Sequence, residues 1–295
     1  MKDDIAIDHL RTWVGKQICG NDIITSETLN RFRATLAGFT ELSTEPPLGI
    51  HWCLAQPAAA HDELGSDGHP SKGGFMPPVA LPRRMWASSH IRFHSMPELE
   101  TPIEKTSTIA DVFSKQSASS GQLVFVHIDH AYVQNHQNLI DERQTIVYRQ
   151  PSAYKPPKPS APENRGSSFQ LVPDSTLLFR YSAMTFNAHR IHYDYNYATK
   201  EEGYPGLVVQ GPLMATLLMN LAQASRPKQT IMEFEFTGVA PAFVDHRLNL
   251  AVRDSESPVS DALAEHNGQV SLEIRNQEHA LIMKASANFR DDNEY

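Results

Sequence analysis

Ten residues in the second half of the chain constrain the fold most. Eight of the ten residues from Leu213 to Ala222 are apolar, and the two polar ones, Thr216 and Asn220, stand four positions apart. This pattern predicts a helix buried on nearly every side, because a helix at a protein surface keeps a polar face. Gly211-Pro212 precedes it, and proline suits the first helical position, where its missing N–H has no partner to lose.

Four segments with alternating apolar residues follow the predicted helix. They cover residues 232–236, 248–253, 270–275 and 281–289. A period of two is typical of strands that cover a core with one face. An antiparallel sheet wrapped around a central buried helix is the hotdog fold, and we predict an α+β protein of this kind.

The first half of the chain repeats the order of strands. Its strand-like segments cover 91–94, 106–113, 123–133 and 139–149, and the third strand of each half follows a Gly-Gln pair. This order predicts a duplicated antiparallel unit, hence a double hotdog. Residues 65–85 are rich in Gly and Pro and predict an irregular loop instead of a second buried helix. An earlier helix is predicted over Glu27–Leu36, with Ser26 as its cap.

A proline-rich segment divides the chain into nearly equal halves. Five of the twelve residues from Pro151 to Pro162 are proline, which predicts a semi-rigid linker outside any sheet interior. We therefore expect a degenerate N-terminal hotdog domain over 1–150, a linker over 151–169 and a catalytic C-terminal hotdog domain over 170–295.

Charge and composition exclude several classes of protein. The formal net charge is −8, so a general nucleic-acid binder is not expected, since such affinity depends on cations that neutralise phosphates. No apolar run approaches the roughly 18 residues of a membrane span. Two cysteines, Cys19 and Cys53, suit neither a disulfide framework nor a zinc site. The acidic N-terminus is unlike a targeting peptide, and we expect a cytoplasmic protein.

Functional residue types are densest in the sequence FNAHRIHYD, residues 186–194, which is followed by GYPGLVVQGP, residues 203–212. With these motifs the chain resembles the MaoC-like hydratases and dehydratases. It is most similar to the double-hotdog branch that includes mesaconyl-C4-CoA and itaconyl-CoA hydratases and mitochondrial 3-hydroxyacyl-thioester dehydratases. The first half adds DGHP, GGFMPPVALPRRMW and IVYR, so the resemblance covers most of the chain.

The resemblance implies three catalytic residues. The family pattern is an Asp, a His five residues later, and a Gly at the start of the buried helix; here these positions hold Asn187, His192 and Gly211. His192 is the expected base that activates water, since imidazole titrates near neutrality. Asn187 cannot act as a base, and we expect it to hold the water. The N–H of Gly211, at a helix N-terminus, would stabilise the enolate oxygen.

The substrate implied by the resemblance is an acyl-CoA, which is the expected partner. Arg83 and Arg84, beside Trp86, are candidates for holding CoA, although a solvated basic turn explains them equally well. Arg180 or Arg190 would meet a distal carboxylate.

Other residues of the motifs have open or structural interpretations. Tyr204 would line the substrate tunnel. His189 is expected to be structural or to flank the substrate, and Asp194 to orient His192 or cap the next turn. The pattern His189-x-x-His192-x-Asp194 lacks a fourth ligand, so no metal is expected. The reaction needs no cofactor either, since coenzyme A is part of the substrate.

The predicted function is the addition of water to, or its removal from, the C=C of a short branched dicarboxylyl-CoA. Itaconyl-CoA and mesaconyl-C4-CoA are the leading substrates, and the product is citramalyl-CoA. One alternative is a 3-hydroxyacyl-thioester dehydratase of fatty-acid metabolism; a thioesterase is disfavoured by Asn187. A non-catalytic acyl-CoA-binding protein is the rival of another class. A homodimer is compatible with the duplicated unit.

Overall fold

Ten strands of the described chain join in one antiparallel sheet. The computed structural model describes residues 6–117, 121–160, 167–254 and 269–291. In chain order the strands are β1 Gln17–Ile23, β2 Arg83–Phe93, β3 Pro102–Ser117, β4 Gly121–Gln134, β5 Gln137–Arg149, β6 Ser167–Leu171, β7 Gln229–Gly238, β8 Leu248–Asp254, β9 Val270–Asn276 and β10 Leu281–Asp291. The helices are α1 Ile7–Arg11, α2 Ser26–Leu36, α3 Ser175–Met184 and α4 Gly211–Ser225. Short helical turns cover Ile50–Cys53, His61–Glu63, Arg190–His192 and Tyr197–Glu201.

The order of strands shows the duplication directly. Across the sheet the order is β1-β3-β4-β5-β2-β7-β10-β9-β8-β6, so β2 and β7 pair at the centre and each half continues outward in the same sequence. Ile91 on β2 lies opposite Phe234 on β7, and both are fully buried. The eight strand segments seen in the sequence are confirmed, and the architecture is the double hotdog. Strands β1 and β6 and helices α1 and α3 were not predicted from the sequence.

Helix α4 is the buried helix that the sequence predicted. Nine consecutive residues from Pro212 to Asn220 are buried, and the helix lies against β7 to β10. The two polar residues within Leu213–Ala222, Thr216 and Asn220, have partners in the core. The hydroxyls of Thr216 and Tyr181 lie 3.1 Å apart, and the Asn220 amide donates to the carbonyl oxygen of Leu48 at 3.0 Å. The polar groups therefore do not need a solvent-facing side.

Among the described residues, the first half has no helix as long as α4. Its 3-10 turn Ile50–Cys53 buries Ile50 and Trp52, while α2 packs against α3 and adds Phe32 and Leu36 to the core. The prediction of α2 is confirmed, but its cap was wrong: Thr25 accepts the N–H of Thr28, while Ser26 begins the helix and donates to Glu100.

Two further segments can be compared with their predictions. The loop over 65–85 is irregular as predicted, except that Arg83–Met85 already belong to β2, where Arg149 of β5 pairs with Arg83. In the linker, Pro159 bridges Ala280 of the second half, and residues 161–166 lie outside the described ranges. Gly268 is outside them too. The division into two domains stays a prediction, since the sheet is continuous through β2 and β7. None of the helices in the described ranges could cross a membrane.

Replacing Gly49 tests how tightly the first half packs on α4. Gly49 has φ +91°, and a Cβ there would lie 2.6 Å from the hydroxyl of the buried Thr216. Gly15 has φ +86° with no atom of the described chain within 4 Å of such a Cβ. Gly15→Ala should therefore cost only left-handed strain, about 1–2 kcal/mol. Gly49→Ala should lower the free energy of unfolding clearly further, as measured by chemical denaturation. Equal losses would contradict this packing.

Candidate active site

His192 is the last residue of the turn Arg190–His192, and its ring is buried. Its Nδ1 lies 2.7 Å from the carbonyl oxygen of Val208. A carbonyl can only accept, so Nδ1 carries the proton and Nε2 of the neutral ring offers its lone pair. Burial lowers the pKa of His192 to about 4, with the Val208 carbonyl opposing that shift. The ring is therefore neutral at pH 7 and has the tautomer of a base.

The segment that holds His192 leads directly into α4. The N–H of Val208 donates to the carbonyl of Ile191 at 3.0 Å, and the N–H of Val209 donates to the carbonyl of Ala242 at 2.9 Å. Residues 207–209 are thus fixed on both sides, and α4 begins three residues after Val208, at Gly211. A Cβ at Gly211 would meet the protein only at an ordinary 3.8 Å contact. Packing alone does not require glycine there, which leaves room for a ligand beside the first turn.

Ser182 of α3 is hydrogen-bonded both to Asn187 and to Gln210, the residue before α4. Its carbonyl accepts the N–H of Asn187 at 2.9 Å, and its hydroxyl accepts from the side-chain amide of the fully buried Gln210 at 2.9 Å. The side-chain oxygen of Asn187 accepts the N–H of His189 at 3.0 Å. The oxygen is the only acceptor of this side chain and is engaged by His189. The Asn187 NH₂, which is a donor, is therefore the group available to a ligand.

A loop of the first half completes the surroundings of this turn. The His69 ring lies 4.4 Å from the His189 ring, which in turn lies 5.4 Å from the His192 ring, between centroids. Asp67 accepts from Nδ1 of His69 at 3.1 Å and from Nε of Arg84 at 3.2 Å. Burial first, then the neighbouring His192 and Arg84, lowers the pKa of His189 to about 3.

The sequence analysis missed Asp67 and His69. Their tetrapeptide DGHP served only as part of the resemblance, because 120 residues separate it from the motif around His189. The available signal was an acid and an imidazole two residues apart in a loop with little secondary structure. The N–H of Arg190 donates to the Asp67 carbonyl at 2.9 Å, and a Cβ at Gly68 would overlap the Ala188 carbonyl oxygen. Gly68, at φ +88°, therefore allows the two segments to touch.

A cavity of about 340 Å³ lies between this loop and α3. Its polar lining includes Ser182, His69 and Asn187. The apolar lining consists of Pro57, Ala59, Leu64, Pro70, Phe179, Ala183, Phe186, Ala188 and Tyr193, with Gly68. The cavity can take an acyl chain or the pantetheine arm, and Asn187 is the predicted catalytic residue that lines it.

The residues predicted to bind CoA already have partners. Nε of Arg83 pairs with Glu202 at 2.8 Å, and Arg84 pairs with Asp67. The Trp86 indole N–H bonds to Ser89, and its ring packs 5.3 Å from that of Trp52. Their role in binding CoA stays a prediction, and it requires the two ion pairs to open.

The remaining predicted residues, Arg180, Arg190 and Tyr204, belong to the second half of the chain. Arg180 is exposed on α3, and Arg190 pairs with Asp194 at 2.8 Å. Asp194 also accepts the N–H of Tyr197, so it caps the next turn, which was one of its two predicted roles. It does not orient His192, because the ring is held by the carbonyl of Val208. The ring of Tyr204 lies 6.0 Å from that of Phe243. Their contacts with substrate stay predictions.

Comparison with known proteins identifies the family. The model of the family described as hydroxyacyl-thioester dehydratase type 2 matches residues 49–244, which include the first-half loop and the whole motif region. The chain belongs to this family. It is a hydro-lyase, and the alternative of a non-catalytic acyl-CoA-binding protein is not supported.

Two curated relatives and one solved structure support this assignment. The chain is 48% identical over 203 residues to mesaconyl-C(4)-CoA hydratase of Chloroflexus aurantiacus, covering 67% of this chain and 71% of that protein. It is 29% identical over 270 residues to the mitochondrial hydroxyacyl-thioester dehydratase type 2 of Schizosaccharomyces pombe, covering 79% and 89% of the two chains. A MaoC-like dehydratase structure superposes with a TM-score of 0.69 at 11% identity, over 94% of this chain and 98% of that one, which shows the shared fold.

The acid limb of the pH profile tests the environment of His192. Only the neutral ring can act as a base, and burial lowers its pKa to about 4. The kcat/KM for enoyl-thioester hydration should therefore stay level as pH falls through about 6.5, the value of an exposed His, and decline only near pH 4. Circular dichroism at each pH would show that the protein is folded. A decline centred near 6.5 would contradict the buried, neutral ring.

Gly68 and Gly73 form a matched pair in the first-half loop. Both have positive φ, +88° and +99°, but only a Cβ at Gly68 collides with Ala188, while one at Gly73 meets Pro78 at an ordinary 3.9 Å. Gly68→Ala should displace the loop from Ala188 and the neighbouring turn Arg190–His192, and lower kcat/KM by about 10²-fold. Gly73→Ala should retain activity within about threefold, because it adds only local strain. Similar activities in the two folded variants would show that loop contact does not matter for catalysis.

Proposed function

We propose that the protein hydrates the C=C of a short branched dicarboxylyl-CoA, such as mesaconyl-C4-CoA or itaconyl-CoA, to give citramalyl-CoA. The observation that carries the chemistry is the buried His192 ring, held by Val208 with Nε2 free. The relative from Chloroflexus aurantiacus, named a mesaconyl-C(4)-CoA hydratase, supports the substrate class.

The proposed hydration begins at His192. Its Nε2 takes a proton from water as the oxygen bonds to the β-carbon, and the π electrons move onto the thioester oxygen. The Asn187 NH₂ donates to the oxygen of the water and so positions it, because its own side-chain oxygen is engaged by the His189 N–H. The Gly211 N–H, at the positive end of α4, would stabilise the enolate oxygen. Protonation of the α-carbon completes the addition.

Binding of the thioester's two ends would use residues of both halves. Arg83, Arg84 and Trp86, all at the start of β2, are proposed to hold CoA once Glu202 and Asp67 release the two arginines. Arg190, which Asp194 already neutralises, or the exposed Arg180 would meet the distal carboxylate.

Tyr204 is proposed to line the passage toward the cavity. It is part of an aromatic cluster with Tyr154 and Phe243, whose rings lie within 6.3 Å of one another between centroids. Aromatic side chains bury large apolar area with little rotational freedom, and they suit the wall of a passage for a mostly apolar arm.

The second candidate function is that of a 3-hydroxyacyl-thioester dehydratase in fatty-acid metabolism. It would use the same catalytic residues. The predominantly apolar lining of the cavity favours it, as does the relative from Schizosaccharomyces pombe, which matches over 89% of its own length. The two functions differ in whether the acyl end is charged.

A panel of enoyl-CoAs separates the two candidates. We expect kcat/KM for mesaconyl-C4-CoA or itaconyl-CoA to exceed that for crotonyl-CoA and for longer enoyl-CoAs, followed as loss of the conjugated thioester absorbance. The charged arginines near the motif supply the reason, since a distal carboxylate adds an ion pair that crotonyl-CoA lacks. A preference for the longer chains would replace the proposal with the fatty-acyl function.

Removing the His192 ring tests the common mechanism. His192→Ala should lower kcat by about 10²–10⁴-fold with either substrate class while CoA-thioester binding, measured by calorimetry, stays within a few-fold. His94→Ala, which removes an exposed histidine paired with Asp141 in the first half, is the control and should keep full activity. Unchanged turnover in His192→Ala would remove this ring from the mechanism.

A further inference from the structure

We propose that His69, oriented by Asp67, is a second catalytic residue that transfers the proton at the α-carbon. The inference rests on the proposed function, since it assigns the half of the addition that His192 does not perform. It also gives the first half of the chain a direct part in the chemistry.

The replacement of an Asp by Asn187 leaves room for a second proton-transfer group. Adding water across a C=C places an oxygen on the β-carbon and a proton on the α-carbon. His192 accounts for the proton that leaves the water. Asn187 stands where the family pattern has an Asp, and an amide cannot exchange a proton in this way. We therefore assign the transfer at the α-carbon to another titratable side chain beside the cavity.

His69 has the orientation that this role requires. Its Nδ1 lies 3.1 Å from Oδ2 of Asp67, while its own backbone N–H donates to Oδ1 of the same carboxylate at 3.0 Å. The carboxylate thus takes up Nδ1 and leaves Nε2 free. The side chain is 26% exposed and lines the same cavity as Asn187. The ring therefore borders the cavity that we propose holds the acyl group.

His69 and His189 differ in their electrostatic surroundings. The carboxylate of Asp67 is in direct contact with His69, and the guanidinium of Arg84 offsets part of its charge from the other side. His189 is buried, and its pKa is lowered to about 3, so it does not hold a proton near neutrality. His189 then serves as a neutral spacer between the His69 and His192 rings.

The position of His69 is set by contacts across the two halves. The backbone of Asp67 accepts the N–H of Arg190, and the Arg190 side chain donates to the carbonyl of Ser66 at 3.0 Å. These contacts hold His69 against the turn that carries Asn187, as a catalytic group needs.

The full step balances with one water. Water gives a proton to Nε2 of His192 and its oxygen bonds to the β-carbon, while the C=C electrons form the enolate. The enolate then takes the proton from Nε2 of protonated His69, and the new C–H bond forms at the α-carbon. Both rings return to their starting protonation by exchange with solvent. In dehydration, neutral His69 removes the α-proton and His192 protonates the departing hydroxyl.

Exchange of the α-proton isolates the role of His69. Butyryl-CoA and methylsuccinyl-CoA have α-protons but no β-hydroxyl, so the full enzyme should exchange these protons in D₂O, as followed by proton NMR. His69→Gln should lose this exchange and enoyl-CoA hydration by about 10²-fold or more. His192→Gln should lose hydration but keep α-proton exchange within about threefold.

Two further variants control for structure. His69→Asn keeps an amide donor near the position of Nδ1 for Asp67 but has no Nε2, and it should lose exchange as His69→Gln does. His61→Gln replaces an exposed histidine of the nearby turn His61–Glu63 and should behave as the wild type. Thermal unfolding would show that all variants are folded.

The outcomes distinguish this inference from the proposed function. A wild type that hydrates none of the enoyl-CoAs would refute the proposed function. A wild type that hydrates them while His69→Gln keeps hydration and exchange would overturn the inference alone, as would absent exchange in the wild type. Asp67, His69 and His189 each offer one ligand atom within 4.8 Å of the others. If a chelator abolishes wild-type hydration and zinc restores it, these residues hold a metal and the proton-transfer role is wrong.

Discussion

The hydrogen bond between His192 and the Val208 carbonyl is the interaction on which the site depends. It selects the tautomer with Nε2 free, and it ties the ring to the segment that begins α4 three residues later. Burial then keeps the ring neutral at pH 7, because it disfavours the charged form. The ring and the first turn of α4 are thereby linked through one short segment, and the proposed hydration uses the ring as the base and the helix N-terminus to stabilise the enolate oxygen.

The two halves of the duplicated sheet have the same strand order but contribute different residues to the proposed site. The second half has the long buried helix α4, which begins three residues after Val208. Among the described residues the first half has no helix as long as α4, and the backbone carbonyl of its Asp67 accepts the N–H of Arg190 in the second half. The proposed site is therefore asymmetric: His192 and the start of α4 belong to the second half, and His69 belongs to the first.

Local patterns in the sequence predicted eight of the ten described strands and helices α2 and α4. The period of two along the eight predicted strands and the apolar surface of α4 report burial directly, because each side chain's environment repeats with the backbone geometry. Short or partly exposed elements were missed because they show too little of this periodicity. Strand β6 has only five residues, and α3 leaves Phe179 and Arg180 exposed. The cap of α2 was misplaced by one residue, since Thr25 and Ser26 are both suitable capping types.

By itself, the sequence determined the duplicated order of strands, the buried helix and the motif that joins Asn187, His192 and Gly211. These depend on residues close in the chain. Only the tertiary structure decided which carbonyl orients His192, which partners occupy Arg83 and Arg84, and that His69 reaches the cavity beside Asn187. Those contacts join segments far apart in the chain, and their geometry follows from how the two halves pack, which no local periodicity encodes.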